Sequence, residues 1–94
     1  LPKKVDDDTE LTAMSVVNNT LVFKYRLVKA EADSVNKSTF YEKIRSHLLV
    51  KICKDPEIKK IFSSGYSTSF DFSDKKGQPL AEVFIKSSDC NGSE

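Results

Sequence analysis

The sequence predicts an α+β domain in the order ββ-αα-ββ, a four-stranded antiparallel sheet with a helix pair packed on one face. Three observations predict it. Residues Thr39 to Gly65 carry helical periodicity with one break. Thr20 to Lys29 and Tyr66 to Ser73 alternate apolar and polar residues, as half-buried strands do. Each alternating stretch adjoins a turn signal and a second strand-like run, Asn18-Asn19 in the first pair and Asp74–Gly77 in the second.

The helical stretch is the most informative. Phe40, Ile44, Leu48 and Ile52 recur every four residues, with Tyr41 and Leu49 widening the stripe. Thr39 with Glu42 fits a capping box, and Ser38 competes as N-cap. Asp55-Pro56 ends this helix near Cys53, because proline disfavours helical geometry at the residue before it. The same pair starts a second helix, with Asp55 as N-cap and Pro56 in its first turn. Ile58, Ile61 and Phe62 form its apolar face, and Gly65 suits the left-handed cap.

On the N-terminal side, residues 1–8 hold Pro2, two lysines and three consecutive aspartates, read as a mobile leader. An aspartate triplet can bind calcium, but no glycine turn and closing glutamate follow at loop spacing. Glu10 to Val17 reads as a strand. In the next strand Leu21, Phe23, Tyr25 and Leu27 share one face, while Val22, Lys24, Arg26 and Val28 share the other. Ala30 to Lys37 reads as a polar connection. On the C-terminal side, Tyr66, Thr68, Phe70 and Phe72 share one strand face and Ser67, Ser69, Asp71 and Ser73 the other, and Gly77 takes the left-handed position of the hairpin loop. Leu80 to Lys86 returns with Ala81, Val83 and Ile85 inward, which leaves Phe84 partly exposed. Residues 91–94 read as a mobile tail, and the whole chain, 1–94, as one domain.

Composition excludes several function classes. A net charge of +1, with 31% charged residues of both signs, argues against a nucleic-acid or anionic-membrane footprint. Lys51, Lys54, Lys59 and Lys60 cluster at the helix break, near Tyr25 and Tyr66 in the pattern, but the acidic residues are as numerous. No apolar run approaches the ~20 residues a membrane span needs. His47 is the only histidine, and no partner or nucleophile stands at a recognisable spacing from it. Ser63-Ser64-Gly65 lacks the first glycine of a nucleophile elbow. No cofactor or metal set is evident, so the chain reads as a non-enzyme. Three sequons, at Asn18, Asn36 and Asn91, matter only in a eukaryotic secretory pathway.

Two cysteines remain. Cys53 and Cys90 fit neither a CxxC motif nor a zinc site. They read either as one disulfide, from the helix break to the C-terminal segment, or as two buried thiols. The even count and the small domain favour the bond, and with it an oxidising compartment. Apolar residues on the wet sheet face, Val22, Val28 and Phe84, and the hairpin lysines Lys75 and Lys76 are the candidate partner surface.

The segment Cys53-Lys54-Asp55-Pro56-Glu57-Ile58-Lys59, followed by Gly65-Tyr66, the strand to Phe72, the Asp74–Gly77 turn and Cys90, resembles the C-terminal half of AspS-type pilotins. These are small, non-enzymatic periplasmic proteins of type II secretion systems that bind the C-terminal tail of the outer-membrane secretin. The resemblance spans about residues 48 to 90. It implies a Cys53–Cys90 bond, a periplasmic or secreted location and a protein partner among envelope or secretion components. The leader Leu1 to Asp6 has no counterpart in the pilotins, and no cysteine at Leu1 offers the lipid anchor that pilotins of this type carry. Secretin-binding residues have no positional match to carry over. The expected function is a non-catalytic, exported protein-binding domain, pilotin-like in its sharpest version. The alternative is an inhibitor or immunity protein that presents the Asp74–Gly77 hairpin to a secreted enzyme.

Overall fold

A computed structural model describes residues 1–90. The fold is α+β, with a five-stranded mixed sheet in the order β1-β2-β3-β4-β5 and two α-helices. The strands are β1 (Lys3–Asp6), β2 (Thr9–Val17), β3 (Thr20–Leu27), β4 (Ser67–Ser73) and β5 (Pro79–Ile85). The helices are α1 (Lys37–Ile52) and α2 (Pro56–Ser63), and short 3-10 turns occupy Ala32–Ser34 and Ser87–Cys90.

Two features correct the expected four-stranded antiparallel sheet. First, β3 and β4 pair in parallel, Thr20 with Ser67 through Arg26 with Ser73. The helices carry the chain back to the end where β3 began. Sixteen residues of α1 span about 24 Å and eight of β3 about 26 Å, so one helix undoes one strand. Second, Lys3 to Asp6 of the expected leader is a strand, paired antiparallel with Leu11, Glu10 and Thr9. Lys29–Asp8 at 2.9 Å and Lys4–Asp7 at 3.2 Å place its charges against lysines. The stretch read as a tail, 91–94, and the Asn91 sequon lie outside the described residues.

The local signals hold with small shifts. Asn18 and Asn19 both have positive φ, 49° and 58°, so β2 and β3 meet in the tight turn that two asparagines favour. Gly65 and Gly77 have φ of 90° and 86°. Asp55 accepts from the amides of Glu57 and Ile58 with Pro56 in the first turn. The first helix starts earlier than the Thr39 or Ser38 cap. Asn36 is its N-cap, and its side chain accepts from the Thr39 amide at 3.1 Å and the Ser38 hydroxyl at 3.0 Å. The competing cap residues have become donors to a better-placed amide oxygen.

Both helices cover one face of the sheet. Ile52, Ile58, Phe70, Phe72, Leu80, Val83 and Ile85 form the core, with Phe23, Tyr25, Leu27, Phe40, Ile44 and Leu48 packed around it. Phe70 stacks on Phe23 with centroids 5.0 Å apart, and Phe72 on Tyr25 at 5.2 Å. Phe40 meets Phe72 edge-on at 6.0 Å. A register shift beside Phe72 and Ser73 turns Leu80 inward and leaves Ala81 only half-buried, where Ala81 was expected in the core. The buried Thr68 hydroxyl is satisfied by the Ile85 carbonyl at 2.8 Å.

Cys53, the C-cap of α1, is bonded to Cys90, with Cα atoms 5.5 Å apart. The bond holds the segment after β5 against the helix break. Arg45 of α1 reaches the same edge, donating to the Phe84 carbonyl at 3.2 Å and pairing with Asp89 at 3.5 Å. The Phe84 carbonyl on the outer edge of β5 is thereby satisfied.

Candidate partner-binding surface

The face of the sheet opposite the helices is open. Its side chains follow from the alternation of the strands. One cross-strand row runs Ser15, Val22, Ser69, Phe84, and the next Ala13, Lys24, Asp71, Glu82. Val17 and Thr20 close the row beside the Asn18-Asn19 turn. Between Val17, Val22, Lys24, Asp71 and Phe84 lies a shallow depression of about 410 Å³. It has no enclosing wall, which a small-molecule pocket needs and a protein contact does not.

Charge on this face is balanced locally. Asp71 stands between Lys24 and Glu82, so Lys24 offsets the repulsion of two carboxylates directly opposite one another. The Ser69 hydroxyl donates to Asp71 at 2.7 Å and holds that carboxylate along its own strand. Phe84 is 49% exposed in the middle of this polar frame.

The five surface residues named from sequence fall into two groups. Val22 and Phe84 flank Ser69 in one row. Val28 is on the same side of the chain but past the end of β3, six residues or about 20 Å along the strand from Val22. Lys75 and Lys76 lie at that far end, in the β4–β5 hairpin. The hairpin is fastened down and does not project freely. The Lys75 ammonium pairs with Glu31 at 2.8 Å, its amide donates to the Ala30 carbonyl at 3.0 Å, and Arg26 donates to its carbonyl at 3.2 Å. Arg26 is itself held by Glu10 at 2.7 Å.

Asp74 organises that end. It is 2% exposed, and its carboxylate accepts from the amides of Ala32, Lys76 and Gln78, each at 2.8 Å. Desolvation pushes its carboxyl up, but the Ala32, Gln78 and Lys76 amides outweigh this and hold it below the ordinary carboxylate value. A lowered folded pKa contributes stability that is fully present above the unfolded value of 3.8 and is lost as pH falls through the folded one. Asp74→Asn should therefore lower the melting temperature at pH 7 and flatten its fall below about pH 4. Melts of both forms between pH 2 and 7 read this; parallel curves would remove Asp74 from the acid response.

The sequence did not point to two features of the sheet edges. Arg45 binds the Phe84 carbonyl on the outer edge of β5, and Met14, Val16 and Val17 stand exposed on β2. A signal for the second was present: no charged residue occurs from Leu11 to Phe23 in a chain that is 31% charged. His47 is exposed on α1, and no group of metal-ligating side chains occurs among the described residues. No helix among the described residues is long and apolar enough to cross a membrane.

No family model matches the chain, and no curated protein matches it in sequence. Solved structures do match in fold. A candidate secreted protein of Pseudomonas aeruginosa is similar with a TM-score of 0.80 and 19% identity, over 96% of this chain and 79% of the other. EpsS, the pilotin of the Vibrio vulnificus type 2 secretion system, is similar with a TM-score of 0.77 and 13% identity, over 97% of this chain and 78% of its own. AspS, the type II secretion pilotin of Vibrio cholerae, is similar with a TM-score of 0.69 and 13% identity, over 96% and 78%. The chain has the fold of these type II secretion pilotins, and the likeness extends beyond residues 48 to 90 to nearly all of it.

Proposed function

We propose that this chain is a non-catalytic, exported accessory protein of the pilotin kind, which binds the C-terminal tail of an outer-membrane secretin. The observation that carries this is the fold shared with two pilotins over 96–97% of the chain. The Cys53–Cys90 bond supports an oxidising compartment, the periplasm in this reading. Val22 and Phe84 on the open sheet face form the centre of the contact. Lys75 and Lys76 form its polar end, with Val28 at the same end of the sheet. An aromatic ring framed by polar groups is the usual make-up of an interface centre.

The experiment is titration calorimetry of the oxidised chain against the C-terminal segment of the secretin encoded in the same genome. Binding at micromolar Kd or tighter is expected. Phe84→Lys should weaken it about tenfold or more, since truncating or charging an interface anchor costs over 1.4 kcal/mol. The exposed position of Phe84 leaves the melting temperature nearly unchanged. No heat with any secretin tail would sink the partner, and an unaltered Kd for Phe84→Lys would sink the surface.

A further inference from the structure

The sheet has two edges. At the β5 edge Arg45 takes up the Phe84 carbonyl, beside the disulfide-held segment. On the other side β1 covers β2, but only at Thr9, Glu10 and Leu11. No described strand pairs with the outer side of Met14 to Val17.

Which backbone groups are free there follows from the register. The Ser67 amide donates to the Asn19 carbonyl at 2.9 Å, so Asn19, Leu21 and Phe23 present their backbone groups to β4. Thr20, Val22 and Lys24 then present theirs to β2. The Lys24 carbonyl does so visibly, accepting from the Thr12 hydroxyl at 3.1 Å. Their partners Val17, Ser15 and Ala13 are bonded inward. Met14 and Val16 point their N–H and C=O groups outward, away from β3. Beside these groups are exposed apolar side chains on both sides of the sheet. Met14 (48% exposed) and Val16 (60%) lie on the helix side, and Val17 (55%) on the open side. An uncharged, apolar edge with free backbone groups is a template for another strand.

We propose that the Met14–Val17 edge of β2 binds an extended, uncharged segment of a partner polypeptide as an added strand, in line with β1. The free N–H and C=O groups of Met14 and Val16 call for a backbone as ligand. The absence of charge from Leu11 to Phe23 calls for a neutral segment, with aliphatic side chains at alternate positions to meet Met14 and Val16. A second copy of this chain fits less well. The side of β2 that would meet the other copy also carries β1. Each β1 would then run into the opposite Asn18-Asn19 turn, an obstacle a single extended segment does not meet. The site shares Val17 with the rim of the Val22–Phe84 depression, but its ligand groups are the backbone of Met14 and Val16, and it does not depend on the secretin reading.

Amide exchange of the free protein by NMR tests the geometry without a ligand. Ser15 and Val17 should be protected, while Met14 and Val16 exchange as open amides. Titration with the capped peptide acetyl-TVTVT-amide at millimolar concentration should then shift and protect Met14 and Val16. Val16→Lys places a charge on the edge and should weaken this binding about tenfold. Its exposed side chain limits the change in melting temperature to about 4 °C. Four outcomes overturn the proposal: Met14 and Val16 already protected in the free monomer, shifts confined to the Phe84 face, no shifts at all, or a concentration-dependent dimer that protects the same two amides, which would give the edge to a second copy. Because the peptide is not a secretin segment, failure here leaves the secretin experiment standing, and the reverse.

Discussion

Changing Cys53→Ser and Cys90→Ser together should lower the stability of the fold by about 2–4 kcal/mol while leaving a folded spectrum. The two cysteines are 37 residues apart in sequence. Closing a loop of that size removes chain entropy from the unfolded state worth about 4 kcal/mol at 25 °C, less whatever structure the reduced chain retains. The native side adds a second effect. The bond anchors Ser87–Cys90 against the end of α1, where Asp89 meets Arg45. Without it the segment is held by a half-buried ion pair and one backbone turn, so Arg45 loses a fixed partner and the β5 edge loosens. At roughly 4–8 °C per kcal/mol for a domain of this size, the melting temperature should fall by about 10 °C or more. Thermal melts with and without reductant check this, alongside thiol titration of the unfolded, unreduced protein. Two free thiols per chain, or identical melts, would remove the bond and the oxidising compartment inferred from it.

Phe70→Ala should cost about 3–5 kcal/mol, as the loss of a buried aromatic side chain does. Phe70 is the centre of the layer between sheet and helices. Its ring lies between Phe23 at 5.0 Å and Tyr25 at 6.4 Å, on β4, which pairs in parallel with β3 and antiparallel with β5. Removing it leaves a cavity under two rings whose backbones are fixed by ladders on both sides, so little collapse can fill it. Urea unfolding should show a lower midpoint with an unchanged slope. A loss below about 1 kcal/mol would mean the site collapses freely and is not close-packed.

The pairing of these effects bears on function. A domain this small buries a modest core, so a cross-link contributes a sizeable part of the total. The stacked rings and the disulfide brace the helix-covered face from the centre and from one margin. The open face then carries Phe84 and Val22 on strands whose positions are set from behind, as the proposed binding surface requires.

Most of the local structure was legible in the sequence because its causes lie within a few residues. Asp55 with Pro56, Asn18 with Asn19, Gly65 and Gly77 each satisfy a backbone geometry that few other residues allow, and each marks its turn or cap correctly. The strand faces of β3 and β4 were legible because period-two alternation records half-burial directly. The start of α1 was less so: Asn36, Ser38 and Thr39 are all competent caps, and only the folded chain chose the asparagine. Of the proposed surface, Phe84 could be placed outside the core, but its neighbours in space could not be named.

Sequence alone determined β2 to β5, the two α-helices, their order and the two cysteines available for a cross-link, because propensity, capping and periodicity act along the chain. The tertiary structure alone decided how the two hairpins join and that β1 extends the sheet. Parallel pairing of β3 with β4 follows from α1 matching β3 in length, a relation between elements that no local pattern records. The Lys3–Asp6 strand carries no alternation because neither of its faces is buried, so only its backbone bonds to β2 reveal it. The open edge at Met14–Val17 exists because β1 stops opposite Leu11, and where one strand ends beside another is fixed by register, which is a property of the assembled sheet.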